Sequence, residues 1–293
     1  MPNDGILKIL FVLNPISGGV PKAEIEAEIA EYTSKHNIHF EIYHTTGSFD
    51  KQSIQHWIKS IKPDRVVAVG GDGTLKLVAE VMLDGNLPLG IIPAGSANGM
   101  ARELGLPTDI TECLNAIVRG EADRVDVICI NNRDICLHLS DIGMNAQLVK
   151  YFDESGLRGK LGYARGVLRM LLRRSLLQVR IHDGHKEIER NAFMVVLANA
   201  RMYGTGAMIN PEGDPRDGIF EVVVIRRLTL IALVKMFFRA NKLTSKYIEI
   251  IPAQSVNIHV KKKAYFQVDG EYKGKVKAIH AEIKKHSLCL IKY

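Results

Sequence analysis

The first 127 residues alternate between apolar runs and segments with helical periodicity, and this alternation restricts the fold more than any other feature of the chain. The apolar runs end in small or turn-forming residues, and they read ILKILFVLNP, HFEIYHT, RVVAVGG and LPLGIIPAG. Between the first two runs, Ile25, Ile29 and Tyr32 recur at helical spacing. Such alternation is typical of an open α/β sheet with parallel strands and right-handed crossovers. We therefore predict an α/β domain over residues 1–127.

The pattern changes after Val127. Short strand-like runs follow one another with turn residues between them, among them ICLHLSDIG, AFMVVLANA, IFEVVVIR, VNIHVKK and AYFQVDGE. Only two helical stretches interrupt them, near residues 157–177 and 228–243. This pattern predicts an antiparallel, β-rich second domain over residues 128–282.

Charge is distributed unevenly along the chain. Residues 1–146 carry 12 basic and 19 acidic side chains, net −7, whereas residues 147–293 carry 27 and 13, net +14. The basic half indicates a polyanion or an anionic membrane surface nearby. Nucleic acid is not expected as a partner, because the Lys261–Lys263 run is short and no RNA-binding aromatic motif accompanies it.

Several classes of protein are excluded. Four cysteines without Cys-x-x-Cys spacing indicate buried thiols in a reducing compartment. The N-terminal stretch lacks the features of a signal peptide, and no later stretch is both long and apolar enough to span a bilayer. We expect a cytoplasmic protein, with peripheral membrane contact left open. P-loop, protein-kinase and zinc-protease motifs are missing.

The strongest local motif is GGDGT at residues 70–74, which joins an apolar run to a helical segment. Glycines at such a junction let backbone amides approach a phosphate at a helix N-terminus. A carboxylate beside a phosphate is unfavourable unless a cation or a proton transfer accounts for it, so Asp72 indicates Mg²⁺ or catalysis. The alternative is a tight strand-to-helix turn with Thr74 as the N-cap.

Two further loops follow apolar runs of the same domain, NPISGG at residues 14–19 and PAGSANG at residues 93–99. In an open α/β sheet, ligands bind at the carboxyl ends of the strands, and all three loops fall at such ends. Three loops rich in Gly, Ser and Asn at corresponding positions predict a nucleotide site.

The motifs NPISGG, GGDGT, PAGSAN with AREL after it, PEGDPRDGIF and VDGE, in this order, resemble the diacylglycerol kinase catalytic family, specifically bacterial-type soluble lipid kinases. GGDGT alone is also similar to NAD kinases, but the later RDG and DGE elements favour the lipid-kinase branch. The resemblance implies an α/β fold: an open α/β nucleotide-binding domain plus a β-rich, sandwich-like second domain for the lipid acceptor. It also implies that residues 283–293 return to complete the first domain, and that ATP and Mg²⁺ are required.

The resemblance also assigns site residues. Nucleotide contacts fall on Asn14, Pro15, Ile16, Ser17, Gly18, Thr45, Gly70, Gly71, Asp72, Gly73, Thr74, Leu75, Lys76, Ser96 and Asn98. A structural magnesium site falls on Asp214, Asp217 and the carbonyl of Ile219, and such oxygen ligands within one loop suit a hard cation. The local alternative for these residues is a surface turn at Asp217 and Gly218.

The VDGE motif carries the predicted base. A carboxylate there, Glu271 or Asp269, takes the proton of the acceptor hydroxyl while the γ-phosphoryl group is transferred, and Asp72 helps to place Mg²⁺. Without the resemblance, Asp269-Gly270 between two strands predicts a hairpin turn. Two other functions stay open: an NAD kinase-like enzyme, and a catalytically silent nucleotide or lipid sensor, the latter because Gly99 and Lys76 depart from the family pattern.

Residues 157–180 combine seven basic side chains with leucines at helical spacing. This pattern predicts a helix, either packed on the second domain with a solvated basic face or directed at anionic lipid. The acceptor lipid is not encoded in a local motif, and the oligomeric state is open, a homodimer included.

Overall fold

The computed structural model describes residues 6–19, 21–155, 176–184, 186–202, 208–227 and 247–293. The chain divides into two compact units: unit one comprises Met1–Val125 with His286–Tyr293, and unit two comprises Asp126–Lys285. Counted over these ranges, unit one has 12 basic and 16 acidic side chains, net −4, and unit two has 27 and 16, net +11. The contrast in charge seen along the sequence is therefore a contrast between two folded units.

Unit one contains a parallel sheet with helices between its strands. In chain order its elements are β1 (Lys8–Leu13), α1 (Lys22–Lys35), β2 (His39–His44), α2 (Asp50–Ile61), β3 (Arg65–Gly70), α3 (Asp72–Met82), β4 (Leu89–Pro93), α4 (Gly99–Glu103) and α5 (Ile110–Arg119). The strand order is β2, β1, β3, β4, and Leu290 near the C-terminus pairs in parallel with Leu89. The predicted open α/β fold is confirmed.

Apolar sequence explains the central strands of unit one. The side chains of β1 and β3 are almost wholly buried, as expected for strands covered on both faces. Helix α5, which the sequence analysis did not single out, has Asp109 as its N-cap, and the Asp109 carboxylate accepts the Glu112 amide at 2.8 Å. Its Cys113 lies in the core, and burial, with Asp109 and Glu112 nearby, raises the pKa of this thiol to about 12. Among the four free cysteines, Cys289 is the exception to the predicted burial, being half-buried.

Unit two is mostly antiparallel. Its elements are β5 (Ala122–Ile130), which begins in unit one, then β6 (Asp134–Cys136), β7 (Leu139–Gly143), α6 (Met144–Ser155), β8 (Leu177–His182), β9 (Glu187–Ala192), β10 (Met194–Ala198), β11 (Phe220–Ile225), β12 (Ile248–Ala253), β13 (Ser255–Val268) and β14 (Glu271–Ile291), which ends in unit one. Neighbouring strands run in the order β12, β11, β10, β7, β13, β14, and β8 pairs with both β13 and β9. A buried cluster that includes Phe220, Ile258 and Phe266 forms its core.

Several expectations for the second domain need correction. Helix α6 was not predicted. The VNIHVKK run and the AYFQV part of AYFQVDGE belong to a single strand, β13, with irregular pairing to β14. The predicted helices near 157–177 and 228–243 lie outside the described residues, except for Leu176 and Leu177, and Leu177 begins β8. In the part of the chain that the structure describes, no helix has the length and apolar character needed to cross a membrane.

Candidate functional site

Three loops of unit one meet at the carboxyl ends of β1, β3 and β4, and their contact depends on glycine. A Cβ atom on Gly95 would lie 2.3 Å from Gly71 Cα, and a Cβ atom on Gly18 would lie 2.4 Å from the Ala94 carbonyl oxygen. Gly18 also has φ of +60°, in the region that favours glycine. Any side chain at Gly18 or Gly95 would therefore push the loops apart.

Polar side chains join the same three loops. Asn14 Nδ2 donates to Thr74 Oγ1 at 3.1 Å, which connects the first loop to the GGDGT loop. Ser17 Oγ lies 3.3 Å from the Ala94 carbonyl oxygen, which it contacts as a donor. Asn98 closes its own loop, because its side chain accepts the Gly95 amide and donates to the Gly95 carbonyl, both at 2.9 Å. The predicted nucleotide residues of the three loops are thus neighbours in space.

Asp72 has a defined structural role. Its Oδ2 accepts the Gly99 amide at 2.9 Å and its Oδ1 accepts the Met100 amide at 3.1 Å, so the carboxylate caps the first turn of α4. Gly99, one of the departures from the family pattern, thereby supplies a donor to the GGDGT motif through its backbone. The alternative role of Thr74 as N-cap is wrong, because α3 begins at Asp72 with Gly71 as its N-cap.

The other predicted nucleotide residues differ widely in exposure. The amide of Thr45 donates to the Leu13 carbonyl at 2.9 Å, which places Thr45 beside the start of the first loop. Ile16 is 88% exposed and Lys76 only 3%. Of the remainder, Pro15, Gly73 and Ser96 are exposed, whereas Gly70 and Leu75 are buried. The exposed positions can touch a ligand directly, whereas the buried ones support the loop.

The sequence analysis missed Lys22 at the start of α1. Its Nζ donates to the Ala94 carbonyl at 3.1 Å, and burial lowers the pKa of this ammonium group. Lys22 therefore brings a positive charge to the meeting point of the loops in a unit whose net charge is negative. No motif marks it, because the residue with which it interacts lies 72 positions further along the chain.

The VDGE segment of unit two forms a two-residue hairpin turn, as its local sequence predicts. Val268 pairs with Glu271, and the turn residues Asp269 and Gly270 have φ of +49° and +84°. Both angles are those of the tight turns that suit twisted hairpins. The turn presents Glu271 at the first position of β14.

Asp269 is held by the backbone of a distant segment. Its carboxylate accepts the amides of Leu137 and His138 at 2.9 Å each and that of Leu139 at 3.2 Å. The Cys136 thiol lies 3.4 Å from the same carboxylate. Four donors surround its two oxygens, so Asp269 is suited to fixing the turn.

Glu271 is in a different situation. Its side chain is 46% exposed, and one oxygen lies 3.0 Å from Lys273 Nζ, which is also 3.3 Å from Asp134. Burial lowers the pKa of Lys273, but Glu271 and Asp134 outweigh it and the net shift is upward. Lys273 therefore stays charged and holds a solvent-accessible carboxylate in place.

A network of buried polar side chains also holds the turn at Asp269 and Gly270. The Gly270 amide donates to Gln267 Oε1 at 2.7 Å, and Gln267 Nε2 donates to Asp141. The other oxygen of Asp141 accepts the Ala146 amide at 2.8 Å, and Ser140 Oγ donates to the Gln267 carbonyl at 2.7 Å. The SDIGMNA segment, residues 140–146, thus positions the hairpin, a connection that the sequence analysis did not foresee.

The predicted magnesium residues lie in one turn, with their carboxylates already engaged. Arg216 forms an ion pair with Asp214 at 2.8 Å, and Asp217 Oδ1 accepts the Ile219 amide at 3.0 Å. Within the described ranges, no group of three or more His, Cys, Asp or Glu side chains is arranged to hold a metal ion. Asp214, Asp217 and the carbonyl of Ile219 therefore stay a prediction as magnesium ligands.

Buried polar side chains lie near this turn. Gly218 donates its amide to Asp126 at 2.7 Å, and Asn210 donates to Glu221 on β11. Burial raises the pKa of the Glu221 carboxyl, and the nearby Asp217 and Glu212 charges act in the same direction. This part of unit two therefore concentrates acidic groups, in contrast to its overall positive charge.

Comparisons with known proteins agree with this geometry. The model of the diacylglycerol kinase catalytic domain matches residues 8–130, and that of the YegS C-terminal NAD kinase beta sandwich-like domain matches residues 140–291. A diacylglycerol kinase of Staphylococcus aureus is 29% identical over 293 residues, covering 94% of this chain and 90% of its own.

Solved structures show the same fold. A diacylglycerol kinase from Bacillus anthracis has a TM-score of 0.74 at 19% identity, with 99% of this chain and 98% of that one covered. An NAD kinase from Archaeoglobus fulgidus in complex with ATP has a TM-score of 0.57 at 14% identity, with 98% and 94% covered. The protein is thus of the fold class that this diacylglycerol kinase and this NAD kinase share.

Within that class, the chain belongs to the diacylglycerol kinase catalytic family and is a lipid kinase. The predicted family, the α/β plus sandwich-like fold and the lipid-kinase class are confirmed.

Proposed function

We propose that the protein transfers the γ-phosphoryl group of ATP, with Mg²⁺, to the hydroxyl group of diacylglycerol or a related lipid. The observation that carries the nucleotide half of this proposal is the meeting of three glycine-rich loops at the carboxyl ends of parallel strands. Family membership supports the lipid half.

Backbone amides are the phosphate ligands in this proposal. The GGDGT loop leads into the N-terminus of α3, where unpaired amides and the helix dipole favour an anion. Because Gly71 and Gly95 lack side chains, a phosphate group can approach the backbone of these loops closely. Lys22 adds a positive charge, which matters because unit one is otherwise acidic.

The residues of unit one fit a nucleotide-bound Mg²⁺. Each oxygen of Asp72 accepts one backbone amide, and a carboxylate oxygen can make a further contact. Asp72 would hold the cation through these remaining positions, and oxygen is the ligand that Mg²⁺ prefers. A bound Mg²⁺ neutralises charge on the transferred phosphoryl group.

A second Mg²⁺ fits the loop of Asp214, Asp217 and Ile219 less directly. Its oxygen donors suit a hard cation. However, Arg216 contacts both oxygens of Asp214, at 2.8 and 3.3 Å. A cation bound there competes with this guanidinium group.

Glu271 is the base in this proposal, and Asp269 is a positioning residue. A general base needs an accessible oxygen that can receive a proton. Asp269 uses its oxygens to accept three amides, whereas the Glu271 side chain is nearly half exposed and pairs with Lys273. Lys273 Nζ, 3.0 Å from its carboxylate, orients Glu271.

The test is a transfer assay with labelled ATP, Mg²⁺ and a panel of lipids in mixed micelles, with NAD as a further acceptor. Wild-type protein is expected to label diacylglycerol or a close relative, and Glu271→Gln to label it far more slowly. Labelling of NAD alone would identify an NAD kinase-like enzyme. ATP binding by calorimetry without transfer to any acceptor would identify the silent sensor and overturn the proposal.

A further inference from the structure

Strands β13 and β14 carry a large bulge made of lysines. His259 pairs with Ala278 and Ala264 with Val276, so five steps along β13 match two along β14 and three residues are extra. The exposed residues in this interval are Lys261, Lys262 and Lys263. A bulge leaves its extra residues outside the ladder and redirects their side chains.

Two more lysines lie on the facing strand. Lys275 and Lys277 are exposed, and their alternate spacing along β14 puts them on one face. Lys275 pairs with Tyr265 across the ladder. We call these five residues, Lys261, Lys262, Lys263, Lys275 and Lys277, the lysine bulge surface.

Carboxylates do not balance this surface. Among the described residues, no ion pair involves any of its five lysines, whereas the neighbouring Lys273 pairs with Glu271 and Asp134. Lys275 instead lies 4.5 Å from the centre of the Tyr265 ring, and Lys150 of α6 lies 5.5 Å from the same centre. Tyr272 is 6.1 Å from Tyr265, so the cations flank an aromatic pair.

We propose that the lysine bulge surface docks the protein on an anionic lipid surface. Lysines are strongly hydrated point charges that suit a diffuse layer of headgroups, and the surface contains no arginine of the kind that recognises single phosphates in two-pronged fashion. Half-buried tyrosines beside the lysines suit the boundary between water and headgroups. They are poor stacking platforms for nucleic-acid bases, because the lysines already flank the Tyr265 ring.

The position of this surface connects docking to chemistry. From Lys277 to Glu271 the strand β14 advances six residues, roughly 20 Å at 3.3 Å per residue. Docking through the lysines would therefore keep the hairpin that carries Glu271 within about 20 Å of the lipid-bound lysines. This consequence rests on the proposed function, whereas docking itself does not.

The experiment measures sedimentation with vesicles of phosphatidylcholine alone or mixed with phosphatidylglycerol. Wild-type protein is expected to bind only the mixed vesicles and to be released by high salt. The K261A/K262A/K263A variant is expected to lose binding by about fivefold per lysine, or roughly a hundredfold in total. K261R/K262R/K263R keeps the charge and is expected to retain binding, which separates charge from any effect on the bulge itself.

A matched control replaces three exposed lysines that are dispersed over the two units, K35A/K59A/K186A. It removes the same charge and is expected to change binding by less than about threefold. Equal loss in the control, equal binding to neutral vesicles, or full binding by K261A/K262A/K263A would overturn the proposal. Aggregation of K261A/K262A/K263A with vesicle binding retained would show that the lysines protect an unpaired strand segment instead.

The same assay separates this proposal from the proposed function. Glu271→Gln is expected to sediment with mixed vesicles as wild type does, since its change lies outside the lysine bulge surface. Protein that binds through these lysines but transfers no phosphoryl group supports the surface and refutes the kinase reaction. Duplex DNA that competes with the vesicles at equal phosphate concentration would refute the lipid assignment.

Discussion

The candidate sites of the two units use aspartate alike but differ in what else they contain. In unit one, Asp72 accepts two consecutive amides, and the three loops around it are rich in glycine and joined by neutral polar side chains and Lys22. In unit two, Asp269 accepts three consecutive amides, but the adjacent Glu271 points its carboxylate at Lys273 and solvent. An aspartate in a chemical motif can therefore be a structural anchor, and the residue to suspect of proton transfer is the carboxylate that the backbone leaves accessible.

The largest expected effect is on the rate of phosphoryl transfer, and it distinguishes the role of Glu271 from that of Asp269. Glu271→Gln removes the proton acceptor but keeps the size and hydrogen bonds of the side chain, so we expect kcat to fall by about 10² to 10⁴. Stability should be nearly unchanged, because this side chain is half exposed. Initial rates of phosphoryl transfer and urea unfolding measure the two quantities.

Asp269→Asn is the matched variant. Asparagine tolerates the positive φ of this position, so the change mainly weakens the acceptor for three amides. We expect the free energy of unfolding of unit two to drop by about 2 kcal/mol, with a smaller effect on kcat per folded molecule. If Asp269→Asn abolishes transfer without loss of stability and Glu271→Gln does not, the two roles are reversed.

The next effect tests the dependence of unit one on glycine. In Gly95→Ala the new Cβ would lie 2.3 Å from Gly71 Cα and 2.7 Å from Asn98 Oδ1. Moving the loops apart costs about 1–3 kcal/mol, so ATP affinity should fall by about tenfold to a hundredfold in calorimetry. Gly19→Ala is the control, since nothing lies within 4 Å of its Cβ. Equal affinity in both variants would show that the close approach of the loops is irrelevant to ATP.

Features that depend on residues close together in the sequence could be predicted, whereas features that depend on residues far apart in the sequence could not. The strands of unit one and the hairpin at Asp269 depend on neighbouring residues, and both were predicted. The partners of Asp269 lie about 130 positions away, and Gln267 meets Asp141 across a similar separation. These pairings exist only once β7 and β13 are adjacent. Local pattern therefore located the site, but it did not distinguish an anchoring carboxylate from an accessible one.

Acidity should affect the two units in opposite directions. Burial raises the pKa of Asp50 in unit one, but hydrogen bonds from Thr46, Tyr43 and Gly47 outweigh it, and the net shift is downward. Burial raises the pKa of Glu221 in unit two. Asp50 therefore contributes stability above its ordinary pKa of about 3.8 that is lost as pH falls through the lower folded value. Glu221 does the reverse: its burial costs stability as pH rises from about 4.5 through the raised value.

Replacing each carboxylate by the corresponding side-chain amide tests the direction of these two effects on stability. Asp50→Asn should lower the stability of unit one at neutral pH by about 1–3 kcal/mol and flatten its acid dependence. Trp57, the one tryptophan, is the reporter, because its ring lies 5.9 Å from that of Tyr43, whose hydroxyl donates to Asp50. Glu221→Gln should stabilise unit two at neutral pH by about 1 kcal/mol, seen as slower hydrogen exchange in β11. Destabilisation by Glu221→Gln at neutral pH would contradict the raised pKa.

The smallest expected effect concerns the turn of unit two that contains Asp214 and Asp217, where Arg216 would compete with Mg²⁺ for the Asp214 carboxylate. Arg216 pairs with Asp214 at an exposed position, and such pairs are worth about 0.2–1 kcal/mol. If Asp214 and Asp217 are Mg²⁺ ligands, Arg216→Ala should tighten Mg²⁺ binding by up to about fivefold in calorimetry, because the cation no longer displaces a guanidinium group. Arg133→Ala removes the same charge from another exposed position of unit two and should leave the affinity unchanged. Weaker Mg²⁺ binding in Arg216→Ala would show that this arginine supports the turn and does not compete with Mg²⁺ for Asp214. The carboxylates of the turn would then have the role that Asp269 has in the hairpin, which is to hold the fold.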